Sequence, residues 1–161
     1  MHKRFSLVSL FFYGLNILAG VGIGLFTALM ADEFPFGWFF NILLSLLIVL
    51  ACFLLQVFAH EFGHLLFGLM SGFSFQSFRI FSWVLIKKPD GFHFTHQKLP
   101  GTLGQALMLP PEKMSRKAAF WYNMGGSFFN LLISLAALGL SFLLSGFWSY
   151  IAILFSLCGF E

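Results

Sequence analysis

Four apolar stretches alternate with polar segments along this chain. They cover about residues 5–30, 36–70, 118–144 and 147–160. Roughly 20 apolar residues are needed for a helix to cross a bilayer, so the first three stretches are long enough and the last begins a shorter helix. The pattern predicts an all-α membrane protein with about four transmembrane helices in a single membrane domain over residues 1–161.

The segment 71–117 interrupts this pattern with a different periodicity. Phe78 to Ile86 is rich in aromatic and β-branched residues, Lys87 to Gly91 has the composition of a turn, and residues 92–96 alternate apolar and polar side chains. These signals predict a β-hairpin between the second and third helices. Because the hairpin is so apolar, we expect it to associate with the membrane surface.

Composition and charge give the predicted helices an environment and an orientation. The chain is 59% hydrophobic and 9% charged, which favours lipid as its main solvent and leaves no surface suited to nucleic acid. Lys3 and Arg4 precede the first helix, and Asp32 and Glu33 follow it. The other seven basic residues all lie in 71–117: Arg79, Lys87, Lys88, Lys98, Lys113, Arg116 and Lys117. The positive-inside rule therefore predicts a multi-pass protein whose N-terminus and 71–117 loop are cytosolic.

One polar run, His60-Glu61-Phe62-Gly63-His64, lies within the second apolar stretch. Residues four apart share a helix face, so His60 and His64 can direct both imidazoles at one zinc ion. Glu61 can then act as the general base on a water bound to that ion. Since ionisable groups near membrane depth are costly unless they are paired or functional, the run predicts a zinc site with Glu61 as the catalytic residue.

Two further features belong to this helix. Gly63 leaves room for another backbone to approach closely. Gln56 lies one turn before His60 on the same face, where it can support a metal ligand through a hydrogen bond.

These motifs resemble those of the site-2 protease family of membrane-embedded zinc metalloproteases. The family's HExxH motif on a transmembrane helix is matched by residues 60–64, and its GxxxN motif on the next helix is matched from Gly126 to Asn130. The predicted hairpin is similar to the family's membrane-associated β-loop. The resemblance implies a Zn²⁺ cofactor and places Gly126 and Asn130 at the substrate or in support of the metal ligands.

The resemblance also implies a substrate class. Such enzymes cleave a transmembrane or membrane-anchored peptide within or near the bilayer, and the hairpin can hold the peptide extended by adding it as a strand. The expected partners are therefore a membrane-embedded peptide or protein and the lipid bilayer. The oligomeric state is not specified by any pattern in the chain.

One family motif is missing. An Asn-Pro segment followed by Asp-Gly supplies the third zinc ligand in the family, whereas Glu161 is the only acidic residue after Asn130 here. We expect a truncated or naturally shortened member. A third ligand from His93, His96, Glu161 or a second chain stays open, since catalytic zinc takes three protein ligands.

Two alternatives to a protease follow from that gap. The chain can be a catalytically inactive relative that serves as a membrane scaffold or partner subunit. It can also be another integral-membrane metalloenzyme that uses HExxH with a different third ligand.

Overall fold

The computed structural model describes residues 20–25, 37–97 and 101–159. The elements over 37–159 are helix Trp38–Met70 (α1), strands Ser74–Ile80 (β1), Trp83–Lys88 (β2), Gly91–His96 (β3) and Gly104–Leu109 (β4), and helices Arg116–Ser141 (α2) and Gly146–Gly159 (α3). Residues 20–25 are also helical. The rest of the predicted first helix, with Lys3, Arg4, Asp32 and Glu33, lies outside the described residues.

The prediction of an all-α protein with about four spanning helices is wrong. The segment after α1 forms a four-stranded antiparallel sheet rather than one hairpin. Among the described residues, two helices are long and apolar enough to cross a membrane, α1 and α2. Only 22% of the apolar window in each is buried inside the protein, whereas the core helix of a soluble protein would be mostly buried.

The sheet has the strand order β3-β2-β1-β4. The predicted hairpin turn between β2 and β3 is confirmed, with Lys88 opposite Gly91. The predicted strand 78–86 is wrong as one element, because the chain turns at Phe81 and Ser82 to separate β1 from β2. Phe81 adopts a φ of 53°, a conformation that is rare for a bulky side chain. Because no Gly or Asn occupies this position, the sequence carried no signal for the turn.

Local sequence explains where the two long helices end and begin. After α1, Gly72 takes a φ of 85°, and the N–H of Phe73 donates to the carbonyl of Gly68 at 3.0 Å, as in a Schellman cap. At the start of α2, Ser115 Oγ accepts from the N–H of Ala118 at 3.1 Å, which is an N-cap. The sheet therefore lies between two helix ends that are both capped.

The contacts divide the chain into two compact units. One contains the described residues within 1–53 and 134–161, and its core is built from Cys52, Tyr150, Leu154 and Cys158. The other contains residues 54–133, which includes the second half of α1, the whole sheet and most of α2. Every residue of the predicted HExxH and GxxxN motifs belongs to this second unit.

Aromatic side chains pack the sheet of the second unit onto its helices. Phe78 in β1 meets Phe58 in α1 edge to face, with ring centroids 5.8 Å apart. Phe73, just before β1, stacks on Tyr122 in α2 at 4.6 Å. Buried Ala106 and Met108 lie along β4, and Met108 also fills the space above Gly68. This packing brings β4 against the part of α1 that carries the histidines.

Candidate metal centre

The two histidines of the motif converge within one turn of α1. Nε2 of His60 and Nε2 of His64 are 3.1 Å apart, and the rings are inclined at 78°. Both side chains are half-buried. The helical spacing therefore brings together the two nitrogen atoms that the sequence analysis predicts as metal ligands.

A hydrogen bond to helix α2 fixes the tautomer of His64. Its Nδ1 lies 2.7 Å from the backbone carbonyl oxygen of Tyr122 in α2. Since a carbonyl only accepts, Nδ1 carries the proton, and Nε2 of the neutral ring keeps a lone pair for a metal. Orientation of a ligating histidine by a backbone carbonyl is common around zinc.

Gly126 provides the space in front of both imidazoles. A Cβ atom at this position would lie 2.6 Å from Nε2 of His60 and 2.7 Å from Nε2 of His64. Any side chain at residue 126 would therefore occupy the point where the two nitrogens meet. Sterics therefore require glycine at the first position of the predicted GxxxN motif.

The backbones of α1 and α2 touch beside this point. A Cβ at Gly63 would lie 2.5 Å from the carbonyl oxygen of Gly125, and a Cβ at Gly125 would lie 2.8 Å from that of Gly63. The expected close approach at Gly63 is confirmed, and its partner is the Gly125-Gly126 pair. The contact holds α2 close enough for Tyr122 to reach His64.

The geometry fits a zinc ion. In a tetrahedral site with zinc–nitrogen distances of roughly 2.0–2.1 Å, two nitrogen ligands stand about 3.3 Å apart, close to the 3.1 Å between these two atoms. The same separation also suits an N–H···N hydrogen bond between neutral rings. The proton on Nδ1 of His64, which leaves the lone pair of its Nε2 available, is what favours a metal.

Glu61 lies against β4. A Cβ at Gly104 would overlap Cγ of Glu61, so the strand backbone packs directly on this side chain. The N–H of Ala106 is near enough to the Glu61 carboxylate to interact favourably with it. On the same residue, the carbonyl oxygen of Ala106 accepts from the hydroxyl of Tyr122 at 2.9 Å.

The contacts of Ala106 with Glu61 and Tyr122 identify the side of β4 that faces the helices. The N–H and C=O of a residue in an antiparallel strand point to the same side, and Ala106 is paired with Phe78 of β1. Since its polar groups go to Glu61 and Tyr122, they point away from β1. Glu61 and Tyr122 therefore cover the outer edge of β4 at Ala106.

The remaining predicted site residues lie nearby on the same helices. Asn130 is one turn after Gly126 on α2, and its Oδ1 is buried with no hydrogen-bond partner among the described residues. Gln56 is 2% exposed on α1, one turn before His60. Its side chain is enclosed by protein, which is the placement that a supporting residue needs.

The third ligand is not supplied by the candidates that the structure describes. Within 20–25, 37–97 and 101–159, no group of three or more His, Cys, Asp or Glu side chains is arranged to hold a metal ion. His93 pairs with Asp90 at 2.9 Å, and His96 meets the ring of Trp83. Both lie on β3, at the opposite edge of the sheet from β4, and Glu161 lies outside the described residues.

Sequence reasoning missed the contribution of β4 and of Tyr122. The strand's sequence, GQALML, contains residues that are ordinary in helices, so no strand signal preceded it. Tyr122 contributes a backbone carbonyl to His64 and a hydroxyl to Ala106, and neither contact follows from its residue type. Gly104 was the one available signal, since glycine within a strand often marks a close backbone approach.

Comparisons with protein-family models, with curated proteins and with solved structures gave no match for this chain. The case for its chemistry therefore rests on the geometry around His60, Glu61 and His64.

Proposed function

We propose that this chain is a zinc-dependent intramembrane endopeptidase of the site-2 protease type. The observation that carries the proposal is the convergence of two imidazole Nε2 atoms, 3.1 Å apart, beside a glutamate and in front of a glycine. Burying two imidazoles and a carboxylate in a membrane helix costs free energy, so such groups are usually kept there for a function.

The residues divide the chemistry among them. A zinc ion held by His60 and His64 would supply an activated water molecule. Glu61 takes a proton from the attacking water and returns it to the leaving amine, which completes hydrolysis of a peptide bond. The Tyr122 carbonyl holds Nδ1–H of His64, so that Nε2 would be left to bind the ion.

The position of the motif along α1 predicts the depth of the site. From Trp38 to His60 the helix rises about 33 Å, roughly the thickness of the hydrocarbon core. With residues 71–117 in the cytosol, the histidines lie near the cytosolic boundary of the bilayer. This depth suits a transmembrane or membrane-anchored peptide that is cut close to that boundary.

The sheet offers two edges to such a peptide. The outer edge of β3 is open, but it is about 14 Å from β4 across three strand spacings, which is too far from Glu61 for cleavage. We therefore place the extended substrate along β4 beside Ala106, whose backbone groups stay with Glu61 and Tyr122.

The test is a substitution of the general base. Glu61→Gln keeps the shape of the side chain and removes its basicity, so we expect cleavage of fluorescein-labelled casein by the purified protein in detergent to fall by at least about 100-fold. Glu112→Gln, at an exposed position in the segment before α2, is the matched control and should cleave like the unaltered protein. Full activity in the Glu61→Gln variant would contradict the proposal.

A second candidate function is a catalytically inactive relative that serves as a membrane scaffold or partner subunit. It is favoured by the two-histidine site, which has no third ligand among the described residues. Zinc bound by an unaltered protein that cleaves neither casein nor membrane peptides would support this alternative.

A further inference from the structure

Arg79 is a buried cation in the middle of the sheet. It lies on β1, between β2 and β4, and its side chain is only 3% exposed. Burying a guanidinium is costly unless hydrogen bonds or opposite charge compensate for it. Packing alone therefore does not explain an arginine at this position, because an apolar residue would fill the space without that cost.

The hydrogen bonds of Arg79 all go to one short segment. Its Nη2 donates to Oγ1 of Thr102 and, at 3.5 Å, to Oε1 of Gln105. Gln105 is also the residue paired with Arg79 across the β1–β4 ladder. Within the described part of the chain, Nε and Nη1 have no hydrogen-bond acceptor.

The same segment contacts Glu61. Gly104, between the two residues that bind Arg79, packs on Cγ of Glu61, and the N–H of Ala106 interacts with the Glu61 carboxylate. The charge of Arg79 also interacts with Glu61 electrostatically. Whatever holds Thr102 and Gln105 in place therefore also holds the backbone that orients Glu61.

We propose that Arg79 is a positioning residue: by binding Thr102 and Gln105, it fixes residues 102–106 so that Gly104 and Ala106 hold the Glu61 carboxylate. The assignment of a catalytic consequence rests on the proposed function. The mechanical part, from Arg79 to the Ala106 N–H, does not depend on zinc or on substrate.

The mechanical part is tested by hydrogen exchange of the Ala106 amide in metal-free, ¹⁵N-alanine-labelled protein in micelles. This N–H points away from β1, the proposal assigns Glu61 as its acceptor, and Glu61→Ala sets the rate expected without that acceptor. Arg79→Met and Thr102→Val should each speed exchange by about tenfold, whereas Thr102→Ser keeps the hydroxyl and should exchange like the unaltered protein. Thr102 is exposed, so its variants should fold even where Arg79→Met does not.

Fast exchange in Glu61→Ala together with unchanged exchange in Thr102→Val would overturn the proposal. An equal increase in Thr102→Ser and Thr102→Val would also overturn it, because the hydroxyl would then not matter. Failure of the proposed function would look different. Exchange of the Ala106 amide would change with each substitution as expected, but neither the unaltered protein nor any variant would cleave peptide.

The kinetic arm separates positioning from simple stabilisation. With casein as the probe, Thr102→Val should lower kcat by about tenfold with KM and bound zinc unchanged, and Thr102→Ser should restore kcat. The double variant Arg79→Met/Thr102→Val should be no slower than the slower single variant, since both remove one interaction. A lower melting temperature with unchanged kcat would reduce Arg79 to a structural role.

Discussion

The two edge strands of the sheet have the same length but differ in side chains, in burial and in what they contact. β4, with the sequence GQALML, places Gly104 on Glu61 and directs the polar groups of Ala106 to Glu61 and Tyr122. β3, with the sequence GFHFTH, is almost wholly exposed. The strand with the more reactive side chains is thus remote from the candidate site, and the strand without them touches it.

This difference shows that backbone position, rather than side-chain chemistry, decides what β4 contributes. An edge strand has unpaired N–H and C=O groups, and proteins commonly cover or use them. Here α1 and α2 cover the edge of β4 and gain a donor for Glu61 and an acceptor for Tyr122. If this account is right, small changes near β4 should affect the chemistry, and larger changes on β3 should not.

The largest effect is expected from Gly126→Ala. The added methyl group would overlap both Nε2 atoms of His60 and His64, so the rings must turn apart. We expect loss of bound zinc, measured by mass spectrometry of metal content, and destabilisation by about 1–3 kcal/mol from overpacking.

Gly139→Ala is the matched control on the same helix. A Cβ there meets nothing within 4 Å, and alanine favours a helix over glycine. Zinc content should be unchanged and the melting temperature should not fall. Equal zinc in both variants would show that the space at Gly126 has no part in metal binding.

A smaller effect, on activity alone, is expected from Gly104→Ala. The new methyl group would displace Cγ of Glu61, and the three atoms nearest to it all belong to the Glu61 side chain. Cleavage of casein should fall by about tenfold or more while zinc stays bound, because only the proton transfer is disturbed. Loss of zinc together with activity would mean that β4 supports the metal ligands rather than the base.

The motifs could be located from the sequence because their chemistry is local. The four-residue spacing of His60 and His64 places both on one helix face in any α-helix, and Gly126 is one turn before Asn130 for the same reason. The bounds of α1 and α2 also followed from apolar length, to within about three residues.

The sheet could be predicted only in part because its pairing is not local. Phe81 turns the chain without a turn residue, and β4 forms from residues that are ordinary in helices. What makes β4 a strand is its ladder with β1, which lies about 30 residues earlier in the chain. Tertiary contacts of this kind override local propensity, and Arg79, Gly104 and Tyr122 reach the site only through them.

The smallest effect is expected on the open edge. His93→Ala removes an exposed pair with Asp90, and His96→Ala removes a ring contact with Trp83. Both variants should bind zinc and cleave casein like the unaltered protein, since exposed ion pairs contribute little. Loss of zinc in either would assign the third ligand to β3 and remove the contrast between the two edges.

The proposed chemistry depends on one metal ion that His60 and His64 hold together. Zinc K-edge X-ray absorption of the purified protein tests it directly, and we expect scattering from two imidazoles with zinc–nitrogen distances of about 2.0–2.1 Å. This signal should disappear in His64→Ala. A protein without stoichiometric zinc, or a spectrum without imidazole scattering, would contradict the account.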